Sequence, residues 1–160
     1  MARVRDNDQL MASVYDRLID LDPTGTSEAP KSRSQVLFEL KQSVRRDLQN
    51  LLNTRWKCVS WPPDYEELEL SLINYGIPDF TGVNMGGPEE QKRLIQVVER
   101  AVGYFEPRFL RFKIQPADKT HDFDRTLRFK IEGLLRAEPS PEPVSYDTQL
   151  NVNSAEFELK

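Results

Sequence analysis

The chain has 160 residues, enough for one domain that buries on the order of two thirds of its unfolded surface, so no metal or disulfide staple is needed to hold a core. The single cysteine, Cys58, excludes an intramolecular disulfide and suits a reducing compartment; with no local acid-base pair to accompany it, it reads as a small, partly buried apolar residue rather than a reactive thiol. No apolar run approaches the roughly 20 residues of a membrane span, and the start, Met1-Ala2-Arg3-Val4-Arg5-Asp6, lacks the apolar stretch of a secretory signal, which predicts a cytoplasmic protein.

The net charge of −4 is segmental. Residues 31–57 carry seven Lys/Arg against two acids, residues 58–90 seven acids and no base, and residues 91–136 eleven Lys/Arg against six acids. Alternation of this kind suits protein partners or packing between oppositely charged segments, and the absence of a basic run interleaved with aromatics argues against nucleic acid.

From Asp8 to Ile19 the four-residue spacing of Leu10, Val14 and Leu18 predicts a short helix, ended at Asp22-Pro23-Thr24-Gly25. The small and helix-breaking residues up to Pro30 make it a tethered arm, which either binds a partner or folds back on its own domain. Ser32 with Gln35 forms a capping box, and Leu37, Leu40, Val44, Leu48 and Leu51 predict a long central helix. Lys41, Arg45 and Asp47 fall on its other face and are read as mainly solvated. Trp56 to Pro63 reads as a rigid loop whose two tryptophans are packing anchors. Asp64 with Glu67 suggests another cap, so Tyr65, Leu68, Leu72 and Tyr75 predict a helix stopped by Gly76, although Leu68, Leu70 and Leu72 also alternate as in a strand.

Residues 77–87 read as an ordered loop; its glycines lack the spacing and the Lys-Ser/Thr ending of a phosphate cradle. Pro88 opens a helix whose stripe is Leu94, Val98, Ala101 and Phe105, widened by Ile95 and Val102. Pro107 must end it, so Glu106 is the boundary. Leu110, Phe112 and Ile114, then Leu127, Phe129 and Ile131, alternate with charged residues and predict two antiparallel strands with these positions facing the core. The loop between them holds the only histidine, His121, among Asp118, Asp122 and Asp124; with no second imidazole or thiolate it reads as solvated, not as a metal ligand. Beyond three prolines between Glu138 and Pro143, Val144 to Leu150 and Glu156 to Leu159 alternate again and should meet a sheet edge, their own or a partner's. The expected architecture is α+β: a small antiparallel or mixed sheet against amphipathic helices. It divides into an N-terminal helix and tether (1–30), a core domain (31–137), and a Pro-rich spacer with a C-terminal strand extension (138–160).

Three segments in fixed order, Leu51-Leu52-Asn53-Thr54-Arg55, Asn74-Tyr75-Gly76-Ile77-Pro78-Asp79-Phe80-Thr81-Gly82 and Phe105-Glu106-Pro107-Arg108-Phe109, resemble the TssE family of type VI secretion baseplate subunits. That family is related to the baseplate-wedge "lysozyme-like" protein of contractile-tailed phages. The resemblance covers roughly residues 34–137. It implies a non-enzymatic structural subunit, without cofactor or metal, in a baseplate docked at the cytosolic side of the inner membrane. The implied partners are the wedge proteins TssF and TssG, with TssK as a further candidate, and the first ring of the TssB/TssC sheath. By matched position, Glu106, Pro107 and Arg108 become an assembly corner, and Thr54, Arg55, Asn74, Tyr75 and Gly76 further partner-binding residues. The phage pattern has a Pro-Gly turn after the Thr-Arg pair; here Trp56-Lys57-Cys58 follows, so phage contacts in that loop do not transfer.

Two rival readings remain. A lysozyme-like peptidoglycan hydrolase would need a carboxyl pair, Glu106 with Glu66, Glu67 or Asp79, yet an arginine two residues from Glu106 favours its ionised form, the wrong state for a general acid. A regulator resembling the anti-adaptor branch of the superfamily would bind a protease adaptor instead.

Overall fold

The computed structural model describes residues 14–19, 31–56, 62, 64–80, 87–117, 126–137, 140–151 and 154–160. The fold is α+β. A short helix α1 (Val14–Leu18) is followed by α2 (Arg33–Asn53) and α3 (Pro88–Phe105), and then by β1 (Phe109–Pro116), β2 (Thr126–Leu135), β3 (Glu142–Asn151) and β4 (Glu156–Leu159). The strands form one antiparallel meander in the order β1-β2-β3-β4.

Helix α2 begins where the sequence places it. The Ser32 hydroxyl accepts from the Gln35 N–H while the Gln35 side chain accepts from the Ser32 N–H at 2.8 Å, so two otherwise unpaired donors are satisfied. Val44, Leu48, Leu51 and Leu52 on α2 and Leu94, Val98, Ala101 and Val102 on α3 are buried against one face of the sheet. On that face the register stacks cross-strand rows: Ile114 beside Ile131 beside Tyr146, and Phe129 beside Thr148 beside Leu159. Phe157 on β4 meets the Phe129 ring edge-on at 6.1 Å.

Three expectations need correction. Residues 64–75 do not form an α-helix; they make two short 3-10 turns, Glu66–Leu70 and Leu72–Asn74. No side chain caps the first turn, and Leu70, Leu72 and Ile73 remain exposed, so no buried stripe sustains an α-helix. On β1, Leu110 does not face the core. The register slips between Phe109 and Arg111, a bulge that turns Phe109 inward and leaves Leu110 48% exposed. Lys41, Arg45 and Asp47 are not simply solvated: Lys41 pairs with Glu142 at 2.7 Å, Arg45 donates to the Leu159 carbonyl at 2.8 Å, and Asp47 reaches Arg108.

The C-terminal strands complete the chain's own sheet. Helix α2 also closes the far edge: Asn53 donates to the Phe157 carbonyl and accepts from the Phe157 N–H, both at 2.9 Å. With Arg45 on Leu159, these bonds occupy backbone groups that an edge strand would otherwise offer to a partner. Strand β1 forms the opposite edge. The Cys58 and Trp61 segment, the loop 81–86 and the His121 loop lie outside the described residues, as does the first part of the expected N-terminal helix.

Tyr146 links sheet to helix through its hydroxyl, which donates to the Lys41 carbonyl at 3.0 Å. Burial, opposed by Arg108 and Arg45 and aided by Glu106, pushes that hydroxyl up to about 12 from 10.0. The folded state therefore holds its proton over a range in which the unfolded chain has lost it. This contribution is complete below pH about 10 and declines towards pH about 12. Tyr146→Phe should flatten that part of a stability-versus-pH curve and cost about 1 kcal/mol at neutral pH. Urea melts from pH 8 to 11.5 check this; an equally steep alkaline loss in the variant would refute it.

Candidate functional site: the Glu106-Pro107-Arg108 corner

Pro107 ends α3 and directs the chain into β1, bringing Arg108 back over Glu106. The fork is filled. Arg108 Nε donates to Glu106 Oε1 at 2.6 Å and Nη2 to Oε2, while Nη2 also reaches Asp47 Oδ2 at 2.6 Å and Nη1 reaches Ser43 Oγ at 2.9 Å. The network then closes on itself. Ser43 donates to Asp16 Oδ2 at 2.7 Å, Asp16 Oδ1 accepts from Arg46 Nη2 at 2.8 Å, and Arg46 Nε reaches Asp47 Oδ1 at 3.1 Å. Arg46 also lies over the Tyr15 ring, 5.3 Å from its centroid.

This ring joins α1, α2 and the α3–β1 corner with two guanidiniums and three carboxylates. The Glu106 side chain is only 4% exposed. Burial lowers the affinity of the Arg108 guanidinium for its proton, but the hydrogen bonds and charge of Glu106, followed by those of Asp47, more than reverse this and raise it. For Arg46 the bond from Asp16 is the largest cause, and the net shift is again upward. The docking of α1 through Asp16 and Tyr15 favours the folded-back alternative for the described part of the arm. Its Val14 and Leu18 side chains remain exposed.

A cleft of about 400 Å³ opens beside the ring, lined by Asp47, Leu51, Tyr75, Phe105, Glu106, Pro107 and Arg108. Burial first, and then the charges of Asp47 and Glu106, raise the Tyr75 hydroxyl. Tyr75 meets Phe105 edge-on at 5.3 Å. Four sequence-predicted residues, Tyr75, Glu106, Pro107 and Arg108, thus share one cleft. Asn74 and Gly76 line a separate cleft against α3.

Thr54 and Arg55 line neither of these clefts; they fix the loop that carries Tyr75. Ile77 N–H donates to the Thr54 carbonyl at 3.0 Å, Trp56 N–H donates to the Ile77 carbonyl at 3.1 Å, and Arg55 donates to the Leu52 and Ala155 carbonyls. Between them Gly76 takes φ +114, and a Cβ there would lie 2.4 Å from the Thr54 carbonyl oxygen. Gly76→Ala combines a forbidden approach with left-handed backbone and should cost roughly 1–3 kcal/mol or more, read as a lower urea midpoint. An unchanged midpoint would refute that account.

Sequence reasoning missed Ser43, Arg46 and Asp16. Ser43 and Asp47 are four residues apart, one helical turn, and flank the apolar stripe; that spacing was the available signal.

A family model described as baseplate wedge protein gp25 matches residues 39–140. The chain belongs to the gp25 baseplate wedge family, which is also the family of TssE. No curated protein and no solved structure matches the chain. The match takes in α2 from Glu39 onwards, α3, the corner, β1 and β2, and ends just before β3. The family is one of structural components of phage-tail-like baseplates. Among the described residues no helix is long and apolar enough to cross a membrane, and no cluster of His, Cys, Asp and Glu could hold a metal ion.

Proposed function

We propose that this chain is a non-enzymatic wedge subunit of a type VI secretion baseplate on the cytosolic side of the inner membrane, linking the wedge core to the first ring of the contractile sheath. The corner carries this reading. A closed ring of charges sets the Glu106-Pro107-Arg108 turn rigidly beside a cleft lined by Tyr75, which suits a fixed docking point for TssF and TssG, with TssK as a further partner. Strand β1 is the edge offered to sheath subunits TssB/TssC, because α2 side chains engage the backbone of β4.

The same geometry weighs against glycoside hydrolysis through Glu106. Both of its oxygens are engaged by Arg108, leaving none to present a proton to a leaving group, and neither Glu67 nor Asp79 lines the corner cleft.

Pro107 is exposed, so Pro107→Arg should fill the cleft while sparing the core. Expected on co-purification with TssF and TssG is a wild-type complex and a folded variant that forms none. A wild-type chain that ignores TssF and TssG and captures a protease adaptor would replace this reading with the regulatory one.

A further inference from the structure

A second cleft, of about 270 Å³, lies between α3 and the segment that carries Trp56 and Asn74. Its α3 wall presents Arg93, Gln96 and Arg100, and its apolar lining includes Val97, Ala101 and Phe105. Among the described residues neither the Arg93 nor the Arg100 guanidinium has a hydrogen bond or an ion pair, in contrast to those of Arg108 and Arg46, each bonded to two carboxylates. Among the described lining residues Glu69 is the one carboxylate against two arginines, a surplus of one positive charge.

We propose that this cleft docks an extended acidic segment of a wedge partner, with two carboxylates held by Arg93 and Arg100 and an intervening apolar side chain inserted against Val97 and Ala101. The inference rests on the baseplate reading and gives the partner's chemistry at a second contact. Three observations select the occupant. The volume falls just below the ~300 Å³ at which small-molecule sites begin, which suits one or two side chains. The two arginines stand seven residues apart on one helix, about 10 Å along its axis; acids four residues apart on one face of an extended segment, about 13 Å, come within reach of these two long side chains and leave one same-face side chain between them. Two acids in an extended segment match that separation, whereas one isolated anion does not. Finally, unpaired guanidinium forks bordering an apolar floor favour carboxylates next to an apolar side chain, since each fork can take a carboxylate bidentately.

The test uses the full chain reconstituted with TssF and TssG. A benzoylphenylalanine placed at Gln96, between the two arginines, should crosslink to a partner segment containing two acids, located by mass spectrometry. The double variant Arg93→Glu/Arg100→Glu, both changes at exposed positions, should keep the circular dichroism of the wild type and weaken the complex at least about tenfold at low salt. Changing the crosslinked acids to lysine should restore binding to the double variant only. A complex with wild type that the double variant forms equally well, or a crosslink to a segment without acids or to a second copy of this chain, overturns the inference and leaves the baseplate reading standing. Failure of the wild type to bind either wedge protein overturns both.

Discussion

Arg108→Ala is expected to lower the free energy of unfolding by roughly 3 to 5 kcal/mol, because it strands a buried carboxylate instead of removing a surface charge. Glu106 is 4% exposed and both its oxygens are bonded to this one guanidinium. Asp47 and Ser43 lose the same partner, so three groups on two elements are left with weakened hydrogen bonding. An assembly corner as the family resemblance implies it would leave this variant a folded, soluble monomer with disrupted wedge or sheath assembly; the closed ring predicts a loss of stability as well. Urea denaturation of the purified variant decides it, and a midpoint within the error of wild type would show the ring to be dispensable. The pair replaced together, Glu106→Gln with Arg108→Met, should recover part of the loss, since removing both charges avoids leaving one buried alone. Loss of a wedge complex on Arg108→Ala is consequently not evidence of a direct contact, and Pro107→Arg is the cleaner probe.

Periodicity made the helices and β2 legible. The Ser32 box, the stripes of α2 and α3, and the inward Phe129 and Ile131 stand where spacing places them, because each is dictated by contacts within a few residues along the chain. The errors share an origin in long-range contacts. Leu110 obeys strict alternation in sequence, but a bulge that seats Phe109 over Gly133 overrides it; a Cβ on Gly133 would lie 2.7 Å from that ring. Residues 64–75 carry helix-like capping signals without a surface to bury their apolar side chains. The corner itself was legible from Glu106, Pro107 and Arg108, whereas its partners on α2 and α1 were not. Asp47 is 61 residues from Arg108 in sequence, and only the packing of α2 beside the corner brings them together. Tyr75 reached the same cleft through the family resemblance, and the Thr54, Gly76 and Ile77 contacts supply the physical reason it is held there.

Removing residues 142–160 should abolish cooperative folding, the largest effect expected of any change here. The truncation takes away Tyr146, Leu150, Phe157 and Leu159, all buried, and uncovers Phe129 and Ile131 along one side of β2. It exposes the whole β2 edge to solvent and to other chains, a known route to aggregation. It also leaves Asn53, Arg45 and Lys41 on α2 without Phe157, Leu159 and Glu142, so the helix loses its polar fastening to the sheet together with its apolar one. A graded version isolates the packing contribution: Phe157→Ala should cost roughly 3 to 5 kcal/mol, because this 1% exposed ring packs edge-on against Phe129 in the core and its removal leaves a cavity. Near-ultraviolet circular dichroism and dye binding to exposed apolar surface report on the truncation, and urea melts report on Phe157→Ala. A truncated chain with native spectra and a sharp transition would mean that residues 31–137 fold alone and that the terminal strands are an appendage available to partners. If it unfolds as expected, any loss of partner binding by such a truncation reports the absence of a fold, and the proposed sheath contact is tested on β1 instead.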